Sequence, residues 1–465
     1  MAQVIQLKPQ GENEQIRQAN KVYIAGDYAR AGAMAEMYLL ENPEDAQALT
    51  ILAACLKQGN RTAIAYTLAK RATELRPDRS ETWVGHGHMA QNLWRMEEAL
   101  SCYRKALQRA QTDAQRALYN NNIGSVYLDL GQFSKAEEFI RRSLDLYPAN
   151  PKDSNTRHNL GLCLLARREW GEAWKWYSAS IGSNYRAEFR YGKEPRWEGK
   201  AGGTLVIYGE QGLGDEICAA SAIPEVLRSQ QEAGGRLILD CDARVEKLFK
   251  RSFPGAIVHG TRWEKKLDWP EEERNIDASI SAFEVLKFYR NKAEDFPGTP
   301  YLKACPTRTQ MWRSLHAGKP TIGIAWSGGT WKNAGSFRKL PLDQWKPLFE
   351  AIDANWISLQ YKDASEEIQG TPVKQYPWAT LTKDYDDTAA LVASCDLVIA
   401  MQTSVNHLSG ALGVPTWTLI PTTSQWRYGE GYTDLPWYQS VKLYRQQGEM
   451  WPVKQIVEDL KARFA

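Results

Sequence analysis

Apolar and polar positions alternate along this chain in two different rhythms. Up to about residue 182 a long period lies over helical spacing. Pro43 and Pro77 are 34 residues apart, and Pro148 follows after 71 more, which is two periods plus three inserted residues. Alignment on these prolines brings Ala19, Ala53, Gly87, Gly124 and Gly161 to one shared position, and Ala31, Ala65, Ala99, Ala136 and Ala173 to another. Small residues at two fixed places let antiparallel helices approach closely, and a proline ends the second helix of each pair. The pattern predicts about five helix pairs over residues 12–182.

From residue 204 the rhythm changes to short apolar runs separated by helical stretches. Thr204–Tyr208, Arg236–Cys241, Ala256–His259 and Ile276–Ile280 read as strands, with helices over Glu216–Gln231, Ala243–Ser252 and Ala282–Asn291. Phe296–Leu302, rich in Pro and Gly, breaks the rhythm. A second set follows, with strands at Thr321–Trp326, Trp356–Gln360, Leu397–Ala400 and Thr416–Leu419. Its helices fall at Leu342–Ile352, Asp387–Ser394, Val405–Leu412 and, last, Val453–Phe464. Alternation of this kind predicts parallel β/α units, here in two successive Rossmann-like halves with a cleft between them. The expected organisation is a tail (1–11), a helical solenoid (12–182), a connector (183–203), and two α/β halves (204–303 and 304–465).

Composition narrows the class. In 465 residues, 58 Lys and Arg face 55 Asp and Glu, a net charge of +3. That balance argues against a dedicated nucleic-acid footprint, while a local basic groove stays open. The 7 cysteines are odd in number, scattered and never in a C-x-x-C pair, as expected of buried thiols in a reducing compartment. The N-terminus lacks a basic-then-apolar signal, and no run reaches the ~18 apolar residues of a membrane span. A soluble cytoplasmic protein is the expectation.

The repeats resemble the tetratricopeptide repeat. That resemblance implies a superhelix whose concave face docks a peptide or protein, with a dimerisation or spacer arm as the plainer alternative. Asn122 and Asn159 share the repeat position that faces the groove in this family, as an asparagine ladder does in the repeat arm of O-GlcNAc transferase. His86 and His88 stand two apart on a helix, so they point to different faces and do not suggest a metal site.

Candidate chemistry concentrates in the α/β part. Gly209–Glu210–Gln211–Gly212–Leu213–Gly214–Asp215 follows the first strand and opens a helix. Its spacing matches neither the dinucleotide fingerprint nor the Walker loop. Ser327–Gly328–Gly329 follows a strand of the second half, with Lys332, Arg338 and Lys339 beyond it. Gln402–Thr403–Ser404 precedes another helix, on which His407 lies. Glycine turns, hydroxyls, a helix N-terminus and cations together can neutralise a diphosphate. Asp240–Cys241–Asp242 is formally a D-x-D triplet at a strand end, a match that chance supplies easily. Asp386–Asp387 reads as a cap for a helix beginning near Thr388. No credible metal-ligand cluster stands out.

Taken in order, these segments resemble a glycosyltransferase module of the GT-B type, related to lipopolysaccharide heptosyltransferases and O-GlcNAc-transferase-like enzymes. The matching pieces are Glu210–Asp215 with Pro224; Ala325–Gly328; Arg338 before Pro341; Ser358–Gln360; Thr403–Ser404 with His407–Leu408; Gly410–Gly413; and Trp426–Arg427 followed by Pro436–Tyr438. The resemblance implies an inverting, metal-independent glycosyltransferase that uses a nucleotide-diphosphate sugar as co-substrate and no cofactor. Asp215 takes the place of the general base, with Gly212, Gly214 and Gly328 in its glycine loops. Arg338, Lys332, Thr403, Ser404 and His407 meet the donor diphosphate, and Leu359 and Gln360 lie where the nucleoside docks. Gln402 stands where relatives carry an acid that contacts the donor sugar, which leaves sugar and activity open. The acceptor expected first is a protein held by the repeats, as in O-glycosylation of a surface or flagellar protein. A glycan, a lipid-linked sugar or a modified base is the alternative, and a decayed, binding-only scaffold is the rival from another class.

Overall fold

The computed structural model describes residues 13–148, 154–183, 186–262, 264, 267–329 and 337–465. The chain forms two compact units, residues 1–163 and 164–465.

The first unit is a helical solenoid. Its helices are α1 (Glu14–Ile24), α2 (Tyr28–Glu41), α3 (Ala46–Gln58), α4 (Thr62–Leu75), α5 (Ser80–Asn92), α6 (Met96–Gln108), α7 (Asp113–Asp129) and α8 (Phe133–Leu146). Unit one ends within α9 (Ser154–Ala166), and α10 (Trp170–Tyr177) belongs to unit two. Side-chain caps start several helices: Asn13, Asp27 and Asp45 accept backbone N–H groups, and Thr112 forms a capping box with Gln115. The small repeat positions are contact points. A Cβ on Gly87 would lie 2.7 Å from Tyr103, and one on Gly124 would lie 2.6 Å from Ile140. The turn inside each pair has one left-handed residue at the same repeat place: Gly26, Asn60, Trp94, Gly131 and Arg168.

The second unit carries two parallel sheets. The first has β1 (Thr204–Tyr208), β2 (Arg236–Asp240), β3 (Ile257–His259) and β4 (Ala278–Ser281) in the order β3-β2-β1-β4. Between them run α11 (Leu213–Ala219), α12 (Ile223–Glu232) and α13 (Glu246–Ser252); α14 (Ala282–Tyr289) follows β4. The connector pairs with the free side of β4, where Trp197 N–H donates to Ser279 C=O and Ser279 N–H donates to Pro195 C=O.

After α15 (Pro306–Leu315) come β5 (Thr321–Ala325), α16 (Lys346–Phe349), β6 (Asn355–Ser358), β7 (Val373–Gln375), α17 (Pro377–Thr380) and α18 (Tyr385–Val392). The chain continues through β8 (Leu397–Met401), α19 (Ser404–Leu412), β9 (Thr416–Ile420), β10 (Val441–Arg445) and α20 (Val453–Phe464). This sheet runs β10-β9-β8-β5-β6-β7, the doubly wound order counted outward from its first strand. The inner strands β5, β8 and β9 are buried along their length because both faces are covered. Ile456 and Leu460 of α20 complete the core around Trp326, Trp345 and Trp356.

Several local expectations change. The helix expected over Glu216–Gln231 starts earlier, at Leu213, and is interrupted by a 3₁₀ turn at Ala220–Ala222. Pro224 lacks the N–H that a continuous helix would need. The helix expected over Leu342–Ile352 is a 3₁₀ turn followed by α16, with Pro347 near the junction. The cap of α18 is Asp384, which accepts the Asp386 N–H; Asp386 and Asp387 lie in the first turn. There Asp386 pairs with Arg251 of the first half and both carboxylates with Arg308. Edge strands β7 and β10 were not anticipated, β7 being only three residues with one apolar side chain.

Candidate functional site

In each half the strand order reverses between two neighbours, β1 and β4 in the first sheet, β5 and β8 in the second. Crevices for ligands open at the carboxyl ends of strands at such points. The glycine motif leaves β1 there, and Thr403–Ser404 leaves β8. The two ends face each other: a Cβ on Gly214 would lie 3.0 Å from Ser404 Cα and 3.2 Å from His407 Cδ2.

Gly212 is the N-cap of α11, and its N–H donates to Asp215 Oδ2 at 3.1 Å. The other carboxylate oxygen of Asp215 meets Arg427 at 2.5 Å. Arg427 is buried and stacks on Trp426, its guanidinium carbon 4.3 Å from the ring centroid. Burial alone would lower the Arg427 pKa, but its neighbours, Asp215 foremost, raise it above the ordinary value.

Arg338 is also buried, at 6% exposure. Among the described residues no carboxylate stands within ion-pair distance of it, and its Nε has no hydrogen-bond partner. Burial lowers its pKa most; Tyr428 and Asp215 oppose that shift, and the Arg427 charge adds to it. A buried guanidinium without an acid is costly unless an anion joins it. Its backbone helps to shape the turn after β5, since Gly328 N–H donates to Arg338 C=O.

Thr403 is the N-cap of α19, and Tyr385 Oη lies 3.2 Å from Ser404 Oγ. His407 is buried beside them with Nδ1 3.2 Å from Tyr438 Oη. Burial, and then the Arg427 charge, depress its pKa to about 3, so the ring is neutral at physiological pH. It offers a dipole and a hydrogen bond rather than a charge.

Other anticipated residues are engaged within the protein. Gln402 is 1% exposed, donates to Thr423 C=O and accepts from Gln425 N–H, tying down the segment that leads to Arg427. Gln360, oriented by its hydrogen bonds, donates to Ser327 C=O at 2.9 Å and accepts from Ser327 N–H at 3.0 Å. Leu359 points into the core, where a Cβ on Gly323 would meet it at 2.6 Å. The space beside Gly328 is filled by Thr403, whose Cγ2 would lie 2.2 Å from an added Cβ. Lys332 lies outside the described residues.

In the solenoid, Asn122 is buried beside His88, with its amide Nδ2 unpartnered among the described residues. Asn159 is half-buried and donates to Asn121 Oδ1 at 3.1 Å. The two do not bond one another among the described residues.

The D-x-D triplet is held by protein groups. Asp240 accepts from Tyr191 Oη and Thr261, while Asp242 accepts from Arg244 and Arg262. Among the described residues no cluster of three His, Cys, Asp or Glu is arranged to hold a metal ion. Glu210, inside the glycine motif, is a structural anchor. With Glu284 it neutralises Arg186, which is 1% exposed, at 2.8 and 2.9 Å.

Sequence reasoning assigned no role to Arg427. Its only local signal was the Trp426–Arg427 pair, and nothing in that pair indicates contact with Asp215, 212 positions away.

A tetratricopeptide-repeat family profile matches residues 78–149. Protein FlbA of Caulobacter vibrioides is 28% identical over 462 residues, spanning 92% of this chain and 76% of FlbA. Among solved structures, a thermophilic tetratricopeptide protein of Thermus thermophilus aligns with TM-score 0.32 and 24% identity, over 36% of this chain and 87% of its own. Pseudomonas aeruginosa pilF aligns with TM-score 0.34 and 16% identity, over 52% of this chain and 92% of its own. The profile match and the observed helix pairs make the N-terminal region a tetratricopeptide-type helical solenoid, and a region of parallel-sheet α/β structure follows it. Among the described residues no helix is long and apolar enough to cross a membrane.

Proposed function

We propose that residues 164–465 form a GT-B-type glycosyltransferase that binds a nucleoside-diphosphate sugar where the carboxyl ends of the two sheets meet. The reading rests on one observation above all: Arg338 is buried with no carboxylate within ion-pair distance among the described residues, and its C=O accepts from Gly328, the glycine that abuts Thr403 at the N-terminus of α19. A diphosphate supplies the missing negative charge, and the N-terminal end of α19, with the Thr403 and Ser404 hydroxyls, turns its positive dipole end to it. The diphosphate gains charge as the sugar leaves, so the same groups favour the transition state over the bound donor. Asp215, across from them on α11, accepts the proton of an acceptor hydroxyl that attacks the anomeric carbon from the opposite face. The solenoid holds a protein or peptide acceptor, the usual use of such repeats.

The test is calorimetric titration with uridine, guanosine, cytidine, thymidine and adenosine diphosphates. At least one should bind, and Arg338→Ala should weaken it by about 1.5–3 kcal/mol, the worth of a charge-assisted hydrogen bond. Absence of binding, or unchanged affinity in the variant, would overturn the placement.

One observation favours a second reading, a module that binds a nucleotide without transfer. Both oxygens of Asp215 already have partners, Arg427 and Gly212 N–H. Slow hydrolysis of the matching sugar nucleotide by the wild type, lost in Asp215→Asn, would decide for the enzyme.

A further inference from the structure

Two buried guanidiniums lie at the meeting of the sheets, and they are in different states. Arg338 has no carboxylate within ion-pair distance among the described residues, and Asp215 acts on it only from farther off. Arg427 has one, Asp215, but its Nε is buried without a hydrogen-bond partner, so its fork is only partly used. Asp215 is the more exposed member of that pair, its side chain 28% accessible against 4% for Arg427. The arginine is fixed by stacking between Trp426 and Phe283, with centroid distances of 4.3 and 5.2 Å, while the carboxylate sits at the open side.

Resting on the donor reading above, we infer that Arg427 is a second ligand of the donor's diphosphate and that Asp215 and the diphosphate compete for it. In the free protein Asp215 neutralises Arg427. When the diphosphate arrives, its oxygens take N–H groups of Arg427, and the Asp215 oxygen at 2.5 Å is released toward the acceptor. The carboxylate thereby becomes available as a base only when a donor is present, which makes donor binding precede proton removal. Arg427 is thus a positioning residue for Asp215 and a contact residue for the ligand. The chemistry selects a ligand with two adjoining anionic groups, one for each guanidinium, over a nucleoside monophosphate.

The competition has a signature that damage to the fold does not imitate: removing the competitor tightens binding. With the nucleoside diphosphate that binds wild type as probe, Asp215→Asn should bind it about tenfold more tightly or better. The matching monophosphate should gain much less. Asp215→Asn also removes a negative charge near the site, so the gain is measured again in an Arg427→Met background. There it should disappear if Arg427 mediates it, and persist if only the field has changed. Asp215 is partly exposed, so its variant should fold; thermal unfolding checks both proteins. Should Arg427→Met not fold, Arg427→Gln serves as the background, and the gain should disappear there as well. Equal affinity of wild type and Asp215→Asn, an equal gain for monophosphate, or a gain that survives in Arg427→Met would overturn the sharing of Arg427 while leaving the donor site standing. Failure of every diphosphate to bind either protein would overturn the donor reading as well.

Discussion

Gly214 on α11 and Ser404 on α19 are separated by so little that a Cβ on the glycine would lie 3.0 Å from the serine Cα. Gly214 therefore sets how closely the two α/β halves approach at their switch points. Its φ is not in the left-handed region, so the requirement is for space rather than backbone freedom. Gly214→Ala should lower stability by about 1–2 kcal/mol, overpacking less the gain in helix propensity. It should also weaken diphosphate binding, because the α19 N-terminus moves away from α11. Denaturant unfolding and calorimetry on the same variant check both halves of this expectation.

Arg186 should be among the most sensitive positions in the second unit. It is fully buried between Glu210 and Glu284, and Glu210 also accepts from Ser281 Oγ. Arg186→Met strips the buried Glu210 carboxylate of its cation and leaves Glu284 to Arg196 and Lys287 alone, at a cost of about 3–5 kcal/mol. Urea unfolding measures it. Because Glu210 serves this network, Glu210→Gln should lose stability yet keep diphosphate affinity once folded.

Glu216 carries a pH dependence whose direction follows from its surroundings. Burial raises its pKa from 4.5 to about 7, although Arg262 opposes the shift at 2.7 Å. Below pH 4.5 the group is protonated folded or unfolded and has no effect. Above pH 7 it is charged in both states, and the cost of the buried charge is complete. Its contribution to stability therefore falls as pH rises from about 4.5 to about 7. Comparing the melting temperature of wild type with that of Glu216→Gln across this range should show the slope flattened in the variant.

The repeat turns allow a test of backbone strain without side-chain crowding. Gly26 has φ +89°, and nothing lies within 4 Å of an added Cβ. Gly26→Ala should still cost about 1–2 kcal/mol, purely from the left-handed backbone. Asn60, at the equivalent place with φ 60°, should gain a few tenths of a kcal/mol on change to Gly. Thermal unfolding of the two variants should move in opposite directions.

Much of the architecture was legible because it depends on local periodicity. A 34-residue recurrence of small residues needs only neighbouring helices to have meaning, and Gly87 and Gly124 lie against Tyr103 and Ile140 as that recurrence requires. Strands buried on both faces appear as unbroken apolar runs, so β1, β5, β8 and β9 could be located within a residue or so at each end. Edge strand β7 was illegible because Val373–Gln375 has a single side chain to bury. Glycine turns and strand ends also marked the segments around Asp215 and Arg338, while the roles proposed for those two residues come from the family resemblance.

Only the tertiary structure decided how those residues are used. It closed Gln402 and Gln360 onto backbone groups, turned Leu359 into the core, and gave Glu210 to Arg186. It also brought Arg427 to Asp215 from the far end of the second half. The physical reason is range. Periodicity, capping and turn chemistry act over a few residues and leave a trace in the sequence. Pairing of buried charges depends on which groups the packing of two sheets brings within about 3–4 Å, and sequence spacing carries no record of that distance.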